Sequence, residues 1–172
     1  MAAFTVIDHT EATGNITSWD VTSIPSSYDH LMIEVSARSD AVAYYTLMAL
    51  TFNGDTGTNY SSTALYAGST TPQSQRASGA TSVSYQYITA ASSAADTFSV
   101  NKIWIPHYSN AANFKQVLSS AAVEDDSTTD WQWLLFQNAG LWADTDAIDQ
   151  VTLTNTNMIQ YSTFTLYGIT GA

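Results

Sequence analysis

The chain has no cysteine, so neither a disulfide nor a thiolate-bound metal can hold its fold, and its redox compartment leaves no trace. Basic residues are nearly as scarce. Arg38, Arg76, Lys102 and Lys115 stand against fifteen Asp and Glu, for a formal charge of −11. A polyanion would meet a repelling field with no basic footprint, which argues against nucleic acid as a partner; the same field opposes adsorption to an anionic membrane and suits a cationic patch on a protein. Charged residues are only 11% of the chain, against about 25% in ordinary globular proteins, so the surface must be largely hydroxyl and amide. Long hydrophobic runs are missing too. The longest, Ala41 to Leu50, is about half a membrane span, and MAAFTVIDHTEATG at the start has neither a basic n-region nor a continuous apolar h-region. No membrane role is expected, and a protein of this kind acting outside a cell would be carried there by an assembly built in the cytoplasm.

What is present is β patterning. The 172 residues, 45% hydrophobic, suffice for one sizeable core and are expected to form a single domain, 1–172. Short strand-like runs recur between turn signals: Phe4 to Ile7, Ile16 to Val21, Leu31 to Arg38, Tyr44 to Phe52, Ser61 to Tyr66, Ser82 to Ile88, Phe98 to Ile105, Phe114 to Val123, Trp131 to Phe136, Ile148 to Thr154 and Thr163 to Ile169. This spacing predicts an all-β fold, a jelly-roll-like antiparallel β-sandwich. Leu31, Ile33, Val35 and Ala37 alternate with Met32, Glu34, Ser36 and Arg38, as Val151 and Leu153 do with Thr152 and Thr154, so one face of each run is core. Ser26 to His30, after Pro25, is the candidate for a short helix. Gly68 to Thr81 contains Pro72, lacks periodicity and reads as a surface loop. FNGDTGTNYS, Phe52 to Ser61, begins with the strongest short hairpin signal, Asn53-Gly54, because a type I′ turn needs positive φ at both positions.

Few residues suggest chemistry. His9, His30 and His107 are scattered, with no second His or Cys at metal-ligand spacing. Serines abound, but no G-x-S-x-G elbow marks a nucleophile. Glu124, Asp125, Asp126 and Asp130 form the one dense acidic cluster; paired carboxylates can act as glycosidase acid and base, yet adjacent acids in a Ser/Thr-rich turn are better read as a solvated loop. That cluster, or Asn53, Asp55 and Asn59, could offer oxygens to calcium, and Asx-turn hydrogen bonding is the preferred reading. Trp19, Trp104, Trp131, Trp133 and Trp142 are core, interface anchors or sugar platforms. Asn15-Ile16-Thr17 and Asn59-Tyr60-Ser61 match glycosylation sequons, read as coincidence in an Asn- and Thr-rich chain. No catalytic, cofactor-binding or metal-ligating residue is assigned, and no enzyme activity is expected. With almost no lysine to guard sheet edges, the edges and flat faces are expected to be covered by copies of the chain or by another protein.

The motifs IPSSYDHLMIEVSARSD (Ile24 to Asp40), FNGDTGTNYS (Phe52 to Ser61), AGLW (Ala139 to Trp142) with AIDQVTLT (Ala147 to Thr154), and STFTLYGI (Ser162 to Ile169), in this order, resemble a family of structural proteins of tailed bacteriophages. The resemblance spans nearly the whole chain and is least familiar over Ala111 to Trp133. It implies a place in a virion assembled in the host cytoplasm; the leading expectation for that place is a capsid decoration or cement protein on the head exterior. Its expected partners are copies of itself, as a homotrimer, and other virion proteins such as the major capsid protein. A tail-fibre or tail-tip module is the alternative within that class. A host-glycan-binding module, or a glycan hydrolase, are the alternatives outside it. The resemblance carries over no catalytic or cofactor residue.

Overall fold

A computed structural model describes residues 3–68, 71–124 and 133–171. Twelve strands account for the regular structure: β1 (Ala3–Glu11), β2 (Ile16–Val21), β3 (His30–Ser36), β4 (Tyr45–Phe52), β5 (Tyr60–Ala67), β6 (Gln73–Ala80), β7 (Val83–Thr89), β8 (Val100–Pro106), β9 (Lys115–Glu124), β10 (Trp133–Trp142), β11 (Val151–Met158) and β12 (Thr163–Thr170). Among the described residues there is no helix, and Ser26 to His30 is a turn leading into β3. All strand pairs are antiparallel, in a sheet of eight ordered β1-β12-β3-β8-β9-β10-β5-β6 and a sheet of four ordered β2-β11-β4-β7.

Within this order lies a jelly roll. The chain passes from one sheet to the other between β1 and β2, β2 and β3, and β3 and β4, and the quartets β1-β12-β3-β8 and β2-β11-β4-β7 result. Two hairpins interrupt the scheme: β5–β6 between β4 and β7, and β9–β10 between β8 and β11. They pair with each other, β10 against β5, and continue the first sheet beyond β8.

Alternation places the core. Leu31, Ile33 and Val35 of β3, Ile103 and Ile105 of β8, and Phe164 and Leu166 of β12 face Met48, Leu50 and Phe52 of β4 and Val151 and Leu153 of β11, none more than 2% exposed. Each such side chain contributes about 1.5–3 kcal/mol by leaving water. A second, smaller core of Tyr87, Ala121, Val123, Leu134 and Phe136 lies under the added strands. There Tyr87 stacks on Phe136 with ring centroids 3.8 Å apart.

A polar seam separates the two cores, because Ser62, Ser119 and Asn138 occupy the inward positions between them on β5, β9 and β10. The seam has a partner in β7. That strand slips register between Val83 and Gln86, with Tyr85 at φ 67°, which takes Ser84 out of the ladder. Ser62 Oγ then accepts the Ser84 N–H at 3.0 Å, and Asn138 Nδ2 donates to the Ser84 carbonyl at 2.9 Å. A buried backbone pair without such partners would cost about 1–3 kcal/mol per group.

Two expectations change. Gln73–Ala80, inside the stretch read as a loop, is the edge strand β6, paired with β5 by its backbone ladder and by Gln73 and Gln75 on the Tyr66 hydroxyl, although QSQRASGA has no apolar alternation. Asn53 and Gly54 do take positive φ, 52° and 66°, and the Asp55 N–H closes the turn on the Phe52 carbonyl at 2.8 Å. The strands it joins nonetheless lie in opposite sheets, so it is a crossing turn and not a hairpin.

Candidate functional site

The outward side chains of the large sheet fall into rows across its strands. One row runs Val6, Tyr167, Met32, Trp104, Leu118, Ala139, Thr63 and Arg76, one residue from every strand in order. The next runs His9, Thr165, Glu34, Lys102, Ser120, Gln137, Leu65 and Ser74. The first row is mainly apolar. Phe4, Val6, Leu65, Val100, Leu118 and Leu135 on this face are 48–61% exposed, and they are half of the twelve large apolar side chains exposed among the described residues. A face that carries this share of the exposed apolar side chains is a candidate for burial against a partner. The outer face of the small sheet is different: Thr51, Thr152 and Asp20 form one row, Ala49, Thr154 and Ser18 the next.

A groove of about 740 Å³ lies on the large face, lined by Ser61, Thr63, Arg76, Trp104, Gln116 and Leu118 among others. Trp104 is partly covered by the His30 ring, centroids 4.9 Å apart, and His30 also meets the His107 ring at 4.8 Å. Pairing of β3 with β8 thus unites two histidines that look scattered in the sequence. Among the described residues no group of three or more His, Asp or Glu is poised for a metal ion.

The four cations divide evenly. Arg38 is buried, and its guanidinium donates to the carbonyls of Ala94 (2.7 Å), Ser93 (3.0 Å) and Thr97 (3.0 Å), fastening the loop after β7. Lys115 is buried as well, its Nζ donating to the carbonyls of Asn113 (2.8 Å) and Thr145 (2.9 Å). Burial pulls its pKa down, and the carboxylates of Asp144 and Asp146 oppose that shift. Only Lys102 and Arg76 remain as surface cations, both on the large face. Lys102 lies 3.4 Å from Glu34.

The FNGDTGTNYS loop is fastened on all sides. Asp55 accepts from the Trp142 indole at 2.6 Å, the Gly57 N–H at 2.7 Å and the Asn59 amide at 2.7 Å, and these donors, the indole foremost, hold its pKa below 3.8. Asn53 Nδ2 donates to the Ala147 carbonyl at 2.8 Å, while its Oδ1 accepts the Asp149 and Gln150 N–H groups at 3.0 and 3.2 Å. Gly57 N–H on Asp55 Oδ1 is the Asx-turn bond preferred over calcium ligation. The Tyr60 phenol is buried under this loop and pushed up to about 12 by that burial. Three stretches singled out in the sequence therefore meet at one end of the sandwich, and what they do there is join strands.

Of the tryptophans, Trp19 and Trp142 are buried in the core and Trp104 is half-buried in the groove. Trp131 and the Trp133 side chain lie outside the described residues, as do Asp125, Asp126 and Asp130 of the acidic cluster; Glu124 is exposed at the end of β9. Residue spacing alone did not reveal the large face, since half of its apolar members sit on β5, β9 and β10, whose place beside β8 depends on the insertions. No protein-family model, no curated protein and no solved structure matches the chain.

Proposed function

We propose that the chain is a structural protein of a tailed-bacteriophage virion, a decoration or cement protein that binds the outside of the head in several copies and reinforces it. The family resemblance of the four ordered motifs supports the virion. The observation that supports an assembly role is the outer face of the large sheet, broad, apolar along most of one row and low in charge. Ser- and Thr-covered surfaces elsewhere can be buried with little charge desolvation. The reading is non-enzymatic. Binding the assembled shell, and not its dissociated subunits, shifts the equilibrium away from disassembly. Particles made with and without the protein test this: those lacking it are expected to lose their genome at lower temperature or pressure, and equal resistance would refute cementing. Antibody labelling in negative-stain micrographs separates head from tail, and tail labelling would favour the tail-fibre alternative. A glycan-binding module has one observation in its favour, that Trp104 and Arg76 both line the groove. One partly covered ring is a poor sugar platform, whereas the mainly apolar row crosses six strands, Val6 to Ala139.

A further inference from the structure

We infer that the outer face of the large sheet is a self-docking surface, closed by the same face of a second copy about a two-fold axis. This rests on the assembly reading for the idea that the face is covered, and goes beyond it by naming what covers it. Area is the first argument. Eight strands about 4.8 Å apart, each showing about seven residues at about 3.3 Å per residue, present roughly 800 Å², which is about what each partner contributes to a stable protein–protein interface.

Charge selects the partner. The outward positions carry Glu11, Glu34 and Glu124 against Lys102 and Arg76, a balance of −1 in a chain of −11. Glu34 and Lys102 neutralise each other in the middle, and Glu11 and Glu124 stand at strand ends. The other described acids lie on the loops, the small sheet and the inner side of β1. Two copies meeting by the loop-bearing ends would set carboxylate against carboxylate, which costs like-charge repulsion; the outer face of the small sheet carries only Asp20 but its rows are Thr, Ser and Ala, with no apolar row to bury. A basic partner would be drawn to those carboxylates and away from this face, and an acidic one would find a single unpaired cation, Arg76, on the edge strand β6. A neutral, apolar surface fits its own kind. Because the same patch serves both copies, the contact is isologous and closes as a dimer; the homotrimer expected from the sequence would need a further contact.

Sedimentation of the full-length protein from about 1 to 200 µM tests the inference, and the sign of the salt effect is diagnostic. Self-docking through the neutral face brings two acidic bodies together, so raising NaCl from about 20 to 300 mM is expected to tighten the dimer several-fold by screening their repulsion. Leu118→Glu, at the middle of the apolar row and exposed enough to leave folding intact, is expected to weaken it at least about 100-fold, since the two-fold buries the new charge twice. Thr154→Glu on the small sheet is expected to leave it unchanged. A monomer at every concentration and salt, a trimer, or a dimer that Thr154→Glu breaks and Leu118→Glu spares would each overturn the proposal. Adding the same variants to particles that lack the protein keeps the two readings apart. A monomeric wild type whose Leu118→Glu variant fails to bind particles refutes self-docking and upholds the virion role. A dimeric wild type that never binds particles refutes the virion role alone.

Discussion

Replacing Asp55 with alanine removes the acceptor on which the Trp142 indole depends. Trp142 is 2% exposed while Asp55 covers its N–H, so the variant exchanges a charged acceptor for at best a loosely held water, and a buried donor left poorly satisfied costs about 1–3 kcal/mol. The Gly57 N–H is exposed and recovers a water; the partly buried Asn59 amide recovers part of its loss. Asp55→Ala should therefore cost about 2–3 kcal/mol, or roughly 4–10 °C in Tm for a chain of this length. Asp55→Asn keeps an oxygen for the indole and should cost about 1 kcal/mol. The two variants differ from the parent in acid. Since the folded-state pKa lies below 3.8, the carboxylate's contribution is complete above the unfolded value and is lost as pH falls through the folded one. Both variants should lack that part of the acid limb. Thermal unfolding followed by tryptophan fluorescence, at neutral pH and at about pH 3, checks both points. An Asp55→Ala protein melting within about 1 °C of the parent, or an Asp55→Asn protein with an unchanged acid limb, would refute the reasoning.

Arg38→Lys keeps the charge but cannot span the carbonyls of Ser93, Ala94 and Thr97; a loss of about 2 kcal/mol is expected, with faster amide exchange at Ala91 and Ser99. Gly168→Ala would drive a methyl group into the Tyr28 ring that lies against it, costing about 1–3 kcal/mol by overpacking. Adding Tyr28→Ala should make that substitution less costly, which a double-mutant cycle would register as coupling. In alkali, Tyr60 and Tyr87 are both held near 12 by burial, so stability should persist to about pH 10 and decline between there and about pH 12 as the unfolded phenols ionise first. Tyr60→Phe should flatten that decline in pH-dependent melts.

Where a strand buries one side and wets the other, its identity was legible: Leu31, Ile33 and Val35 announce β3, and Val151 with Leu153 announces β11. β6 was not, because an edge strand exposed on both faces needs no apolar alternation, and its residues carry no period. Arg38 shows a different limit. Alternation assigned it to the polar side with Ser36, but β3 ends at Ser36 and the chain beyond turns the guanidinium inward onto carbonyls that no local pattern could supply. The Asn53-Gly54 turn was legible in its dihedrals and not in its destination, since turn chemistry fixes φ without fixing which sheet receives the next strand. The candidate face was the least legible part. Its rows join residues from β1 to β12, and only the registers between strands bring Val6 into line with Leu118.

The two inserted hairpins stand in a hierarchy. β9–β10 is anchored directly to β8, whereas β5–β6 joins the large sheet only through β10. Deleting β5–β6 would hand the edge to β10 and remove Tyr60 and Ser62 from the interior; deleting β9–β10 would leave β5–β6 with no sheet to join. Opening of the native molecule should follow the same ranking, with β6 fraying first, then β5, while the eight-stranded jelly roll stays closed as the most protected unit. A protease would then find its first cut in the chain on either side of Gln73–Ala80, at the far margin of the face and well away from the jelly-roll core.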